Sequence, residues 1–72
     1  MTIGEKIASL RQSAGYSQEL LAEKMDVSRQ SISKWEMNQA LPQIDKVLML
    51  CELFGISTDD LLMDTIELKN KK

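Results

Sequence analysis

The sequence contains no histidine and only one cysteine among its 72 residues. A zinc site of the Cys/His kind and an internal disulfide are therefore both excluded by count, and we predict neither a metal nor a cofactor. The lone Cys51 is typical of a protein of the reducing cytoplasm. Aromatic residues make up 4% of the chain, which disfavours an all-β fold or an aromatic cage.

The chain also lacks a run of 18 apolar residues and a basic N-terminal region followed by an apolar stretch. We therefore predict neither a membrane span nor a signal peptide. Seventy-two residues allow one small domain, with a core near the lower limit for independent stability. The apolar content of 43% is sufficient for a globular helical domain.

Residues suited to catalysis are few, and we predict that the chain is not an enzyme. Cys51 lies on an apolar stripe, where a thiol is a poor nucleophile. Ser31 and Lys34 are one helical turn apart, but no oxyanion site accompanies them. Asp59 and Asp60 are explained more simply as acids at a helix start than as ligands of a hard cation.

The stretch from residue 18 to residue 36 is predicted to form two short helices joined by a tight turn. Leu21, Ala22 and Met25 share one helix face. A new helix starts at Ser28, a residue suited to an N-cap, so about three residues separate the helices, as in a helix-turn-helix. Asp26 lies where such a turn needs a positive φ, which aspartate tolerates better than most residues.

The second helix of this pair has a polar face that core packing does not explain. At about 100° per residue, Ile32 and Trp35 point toward a core. The opposite face carries guanidinium, amide, hydroxyl and ammonium groups, which match base edges in the DNA major groove. An ordinary solvated face is the plainer alternative, but the tight turn and the small Ala22 favour DNA. The predicted base-contacting residues are Arg29, Gln30, Ser33 and Lys34.

A wider set of residues carries a family resemblance: Arg11, Ser17-Gln18, Leu21-Ala22, Val27-Ser28, Ile32, Trp35-Glu36, Pro42, Phe54-Gly55-Ile56-Ser57 and Asp60-Leu61-Leu62. Together they resemble the DNA-binding domain of the phage repressor and Cro class, the XRE-type helix-turn-helix family. Two positions depart from the family pattern, because Asp26 and a residue near Asn38 replace glycines. Both replacements tolerate left-handed backbone geometry.

The resemblance implies an all-α fold, a compact five-helix bundle of the lambda-repressor-like kind. The domain is expected to span residues 1–66, followed by a polar tail over 67–72 that is either frayed or the start of a further domain. The implied function is that of a bacterial or phage transcription regulator, a repressor that binds a palindromic operator as a homodimer. Residues 28–36 would form its recognition helix.

The resemblance also implies contacts with phosphates and an internal ion pair. Gln18 matches a phosphate-contacting position at a helix N-terminus, where free N–H groups suit an anion. Backbone N–H groups after the recognition helix reach phosphates in the resembling proteins. Arg11 and Glu36 match a family pair that forms an internal salt bridge. The predicted phosphate-contacting residues are Ser17, Gln18, Ser28, Met37, Asn38 and Lys6.

The remaining segments are interpreted as supporting helices. Helix 1 is predicted from Ile3 to Ala14, with a Thr2/Glu5 capping box and a buried stripe that includes Ala14. Leu41 is predicted to dip toward the core. Helix 4 is predicted over Ile44–Phe54, followed by a short helix 5. The predicted buried residues of helix 4 are Ile44, Val47, Leu50, Cys51 and Phe54, and the predicted dimer contacts are Leu61, Leu62, Met63 and Ile66.

The charge of the chain is the main argument against DNA binding. Its net charge is −2 and its pI is about 5.0, whereas nucleic-acid binders are normally basic. Two rival functions follow. One is a protein-interaction module of the same fold, such as an antitoxin or a regulator-binding partner. The other is a redox or metabolite sensor, which would require a reachable thiol at Cys51.

Overall fold

The computed structural model describes residues 1–62, and every regular element in that range is a helix. The predicted five-helix, all-α fold is confirmed. Met63, Ile66 and the predicted tail over 67–72 lie outside the described residues. The helices are α1 (Ile3–Ser13), α2 (Gln18–Met25), α3 (Arg29–Glu36), α4 (Ile44–Phe54) and α5, which covers 58–62 of the described range.

Side-chain caps fix where the helices begin. At α1, the Glu5 backbone N–H donates to Thr2 Oγ1 and the Thr2 N–H donates to Glu5 Oε1, both at 3.1 Å, which completes the predicted capping box. Serine hydroxyls accept the equivalent N–H at three of the other four starts, whereas α4 follows Gln43 without a side-chain cap. These serines are Ser17 at α2, Ser28 at α3 and Ser57 at α5. Each cap satisfies an N–H that the first helical turn leaves without an intrahelical partner.

Four residues with positive φ end segments of the chain and turn its direction. Gly15 and Gly55, with φ of 79° and 68°, follow α1 and α4. Asp26 and Asn38, with φ of 59° and 61°, follow α2 and α3. Asp26 and Asn38 therefore adopt the left-handed backbone geometry that was expected at the two positions where they replace glycine.

One core joins all five helices. Its members come from α1, from the facing sides of the α2–α3 pair, from α4 and from the first turns of α5. Trp35 belongs to this core, as predicted, and is 6% exposed. The fully buried side chains are Ile7, Leu21, Met25, Ile32, Leu50 and Leu61.

Gly4 has a packing role that the sequence does not indicate. The start of α1 lies so close to the end of α3 that a Cβ on Gly4 would be 2.5 Å from the Trp35 carbonyl oxygen and 2.6 Å from that of Glu36. Both carbonyl oxygens belong to the backbone, so they cannot move away by rotation of a side chain. Any other residue at position 4 would separate α1 from α3.

Four predictions about burial were wrong. Helix α1 ends at Ser13, and Ala14 is exposed because the chain turns there toward Gly15. Leu41 is 72% exposed, because side chains in this loop alternate between exposed and buried positions and Pro42 takes the buried one. Ile44 is 68% exposed, because the buried stripe of α4 begins only at Val47.

The fourth correction concerns the predicted dimer contacts. Leu61 is 0% exposed and packs in the core of its own chain, so it is not available to a second copy. The Leu61 N–H donates to the Ser57 carbonyl oxygen at 3.1 Å in the first turn of α5. Leu62 is half-buried.

Candidate nucleic-acid interface

The outer face of α3 presents three of the four predicted base-contacting side chains to solvent. Arg29, Gln30 and Lys34 are exposed, whereas Ile32 and Trp35 on the opposite face are buried. The helix is therefore anchored by its apolar side and offers a guanidinium, an amide and an ammonium group outward. These groups suit hydrogen bonding to guanine and adenine in the major groove.

Ser33 lies at the margin of this face. Its side chain is half-buried, and its hydroxyl is 3.8 Å from the Met37 sulfur, to which it donates. Because a thioether is a weak acceptor, the hydroxyl can exchange it for a stronger partner. Ser33 therefore lies beside the three exposed side chains, but its hydroxyl is bonded to Met37 at the end of the same helix.

The hydroxyl groups of Ser17 and Ser28 cap their own helices. Ser17 Oγ accepts the Leu20 N–H at 3.0 Å, and Ser28 Oγ accepts the Ser31 N–H at 3.1 Å. These bonds order the first turns of α2 and α3, where the remaining N–H groups and the positive end of the helix dipole favour an anion. A phosphate contact by either serine remains a prediction.

A side-chain network joins α1, α2 and α3 behind the exposed polar face of α3. Arg11 Nε is 2.7 Å from Glu36 Oε2, and Arg11 Nη2 donates to Glu36 Oε1 at 3.2 Å, so the ion pair is bidentate. Gln18 Nε2 donates to the same Oε1 at 3.0 Å. Arg11 Nη1 also donates to the Tyr16 carbonyl oxygen at 2.9 Å. The predicted phosphate contact Gln18 is thus tied at its side chain to the end of α3.

The loop after α3 differs from what the resemblance implies. The N–H groups of Met37 and Asn38 donate to the carbonyl oxygens of Ser33 (3.0 Å) and Trp35 (3.1 Å), which satisfies the end of α3. They are therefore not free to donate to phosphates in this conformation. The next two N–H groups, of Gln39 and Ala40, both donate to the Lys34 carbonyl oxygen.

The Asn38 side chain has a structural role. Its Oδ1 accepts the Gly4 N–H at 3.1 Å and its Nδ2 donates to Thr2 Oγ1 at 3.0 Å. Asn38 therefore fastens the loop after α3 to the start of α1, beside the close approach at Gly4. Spacing along the chain gave no signal for this contact, since more than thirty residues separate the partners.

Lys46 is a second residue that sequence reasoning missed. From α4, its Nζ donates to the Met25 carbonyl oxygen at 3.1 Å. Met25 is the last residue of α2, so a positive charge lies at the negative end of that helix dipole, next to the turn at Asp26. This contact joins α4 to the end of α2.

An acidic edge limits the candidate interface on the α2 side. An open groove of about 540 Å³ lies between α2 and the start of α3. It is lined by Glu19 and Glu23, both exposed, which would repel a phosphate backbone. The surface suited to DNA therefore ends near Ser17 and Arg29, which border the groove.

The structure does not favour a sensor thiol. Cys51 is buried at 7% exposure within the core. Burial away from water, and to a lesser extent the negative charge of Asp60, raise the pKa of this thiol. A protonated, buried thiol is unreactive and behaves as a small apolar side chain.

Residues 1–62 contain no cluster of three or more potential metal-binding side chains. Within the same range, no helix has the length and hydropathy needed to cross a membrane.

The helix pair, its turn and the exposed polar face define a helix-turn-helix protein. The Helix-turn-helix family model matches residues 7–61, and the chain belongs to this family. The match confirms the resemblance to the phage repressor class, whose members compared with this chain are transcription regulators and not enzymes, in agreement with the prediction from the sequence.

The chain is 36% identical over 72 residues to the HTH-type transcriptional regulator ImmR of Bacillus subtilis (strain 168), covering 99% of this chain and 57% of ImmR. The chain thus spans little more than half the length of that relative.

Two solved proteins share the fold. The P22 c2 repressor, in complex with a synthetic operator, has a TM-score of 0.81 and 31% identity, covering 86% of this chain and 94% of that one. SinR in complex with DNA has a TM-score of 0.77 and 32% identity, covering 85% and 98%. SinR in complex with SinI has a TM-score of 0.80 and 31% identity, covering 93% and 66%.

Proposed function

We propose that the chain is a sequence-specific DNA-binding transcription regulator, a repressor that acts in the cytoplasm. In this proposal α3 lies in the major groove of operator DNA, with Arg29, Gln30, Ser33 and Lys34 at the base edges. Two copies bind a palindromic operator as a homodimer, with half-sites about one helical turn apart.

The single observation that carries the proposal is the division of α3 into two faces. Ile32 and Trp35 bind the helix to the core, while Arg29, Gln30 and Lys34 have no packing role and are exposed. Core stability does not require that combination of donors and acceptors, whereas base readout does. The likeness to two proteins solved in complex with DNA supports the same conclusion.

The phosphate contacts are proposed in a revised form. The N–H groups at the starts of α2 and α3, including that of Gln18, remain candidates because the first helical turn leaves them without intrahelical partners. Lys6, which is half-buried on α1, remains a candidate through its ammonium group. Met37 and Asn38 can contribute only if the loop after α3 rearranges.

The proposal is tested by selecting bound sequences from random duplex DNA at two salt concentrations. An enriched palindrome, with affinity that falls as salt rises, is the expected result, and the slope estimates the number of phosphates neutralised. A folded chain that enriches no sequence would contradict the proposal. The protein-interaction alternative would then be preferred, a role for which the SinR complex with SinI is a precedent in this fold.

The assignment of Gln30 makes a sharper prediction. Replacing Gln30 by Ala should remove discrimination at one base position of each half-site, at a cost of about 1–3 kcal/mol on the preferred base, because the amide can pair with adenine. Binding to duplexes that vary only at that position measures the effect. Gln12→Ala, at an exposed position on α1, is the matched control. Unchanged specificity in Gln30→Ala would remove this residue from the readout.

A further inference from the structure

One apolar side chain lies exposed on the polar side of α3. Met37 directly follows the helix and is 61% exposed. Its N–H donates to the Ser33 carbonyl oxygen at 3.0 Å, so the helical path of α3 extends to position 37. At about 100° per residue, Met37 therefore falls between Ser33 and Gln30 around the helix axis. This is the outward face, opposite the buried Ile32 and Trp35.

The side chain of Met37 points back along this outward face. Its sulfur is 3.8 Å from the Ser33 hydroxyl, in keeping with the tendency of long helical side chains to lean toward the helix N-terminus. The thioether therefore lies among the groups that we assign to base readout. Packing within the chain does not account for this position, because most of the side chain is exposed.

We propose that Met37 is a specificity-determining residue whose thioether side chain contacts the C5 methyl group of a thymine in the major groove. This inference rests on the proposed function and names one base that the outward face of α3 prefers. Met37 was expected to contact a phosphate through its backbone. That N–H is bonded to Ser33, whereas the side chain is exposed.

The chemistry of a thioether selects thymine among the four bases. In the major groove guanine, adenine and cytosine present hydrogen-bonding groups, and thymine alone adds an apolar group, its methyl. Methionine donates no hydrogen bond and its sulfur is a weak acceptor, so it leaves the polar groups of the other bases without a good partner. Its unbranched, polarizable side chain can adapt its shape to a methyl group.

A protein partner explains the exposed methionine less well. The structure describes every residue of α3, and the apolar side chains of that helix, Ile32 and Trp35, are both buried. One exposed side chain among polar groups supplies far less than the surface of about 800 Å² that each side of a stable protein interface buries. A single methyl group on a base edge, in contrast, can be covered by one side chain.

The position of Met37 limits where the thymine lies. Gln30 and Met37 are seven residues apart, which corresponds to a rise of about 10 Å along the helix at about 1.5 Å per residue. Successive base pairs are about 3.4 Å apart along the duplex. The thymine should therefore lie within about three base pairs of the pair that Gln30 reads.

The test removes single methyl groups from the DNA. In the half-site selected from random duplexes, each thymidine is replaced in turn by deoxyuridine, which lacks only the C5 methyl. One replacement should weaken binding of the native chain about fourfold, the effect of losing one buried methyl-sized group. Met37→Ala should bind the two duplexes equally, and Met37→Leu should keep the difference because leucine is also apolar. Leu48→Ala, which shortens an exposed leucine on α4, is the matched control and should keep the full difference.

A folding defect cannot produce this pattern, because it weakens binding to both duplexes alike. Three outcomes overturn the assignment of Met37 and leave the proposed function standing. They are a selected half-site without thymine, a native chain that responds to no replacement, and a response in Met37→Ala equal to that of the native chain. A native chain that enriches no sequence contradicts the proposed function itself, and the assignment of Met37 fails with it.

Discussion

At the scale of single residues, the Glu36 carboxylate connects the three helices nearest the candidate interface. Its two oxygens accept hydrogen bonds from Arg11 and from Gln18. The side chains of Arg11 and Glu36 are only 13% and 8% exposed, so the pair is costly to break, although a buried pair contributes little net stability compared with apolar residues. Its effect is to hold the start of α2 and the end of α3 in a set relation.

The first prediction at this scale concerns Glu36→Gln. An amide has one acceptor oxygen where the carboxylate has two, so its NH₂ group must face a donor of Arg11 or Gln18. We expect the free energy of unfolding to fall by about 1–3 kcal/mol, measured by urea denaturation. Gln18→Ala should cost less, because Glu36 keeps its bidentate partner. An unfolding midpoint for Glu36→Gln equal to that of the native chain would show that the network adds no stability.

At the scale of elements, the turns at Asp26 and Asn38 have nearly the same backbone geometry but different side-chain contacts. Asp26 and Asn38 both have left-handed φ, at 59° and 61°. The Asp26 side chain is exposed beyond the end of α2, whereas the Asn38 side chain bonds to Thr2 and to the Gly4 N–H. Sequence alone treats the two as equivalent replacements for glycine, and the contacts separate them.

The prediction at this scale compares Asp26→Gly with Asn38→Gly. Glycine at position 26 should stabilise the chain by roughly 0.5 kcal/mol, because relief of left-handed strain exceeds the entropy that glycine adds to the unfolded chain. Glycine at position 38 should instead destabilise it by about 1–3 kcal/mol, since the Gly4 N–H loses its acceptor. Thermal unfolding of both variants measures the difference. Shifts of the same sign would refute the role assigned to the Asn38 side chain.

At the scale of the whole molecule, the charge predicts weak non-specific binding. Residues 1–36 contain five basic and five acidic side chains. Arg11 is engaged with Glu36, and Glu19 and Glu23 limit the DNA-facing surface. The cations assigned to DNA in each copy are few: Lys6, Arg29 and Lys34. Under the proposed function, specificity therefore comes from base contacts and from the pairing of two copies more than from phosphate attraction.

This distribution leads to a prediction about salt. If each copy neutralises at most three phosphates, the plot of log affinity against log salt for one half-site should have a slope no steeper than about −2.7, at about −0.9 for each phosphate. Titrations of a single half-site between 50 and 200 mM salt give the value. A markedly steeper slope would mean that further cations, such as the exposed Lys24 or lysines beyond residue 62, also contact DNA.

The local features of this protein follow from its sequence. Thr2, Ser17 and Ser28 are caps because of residue type and spacing within one helical turn, and the outward face of α3 follows from helical periodicity. The left-handed turns at Asp26 and Asn38 follow from the few side chains that tolerate positive φ. Each of these depends on residues no more than a few positions apart, so no knowledge of the packing is needed.

Only the tertiary structure decided which apolar faces are covered. Periodicity groups Ile44 with the apolar side of α4, but it cannot tell that this residue stays exposed while Leu61 is fully buried. The contact of Lys46 with the end of α2 and the close approach at Gly4 likewise join residues that are distant along the chain. Burial and long-range contact depend on how helices are placed against one another, and spacing along a single helix does not contain that information.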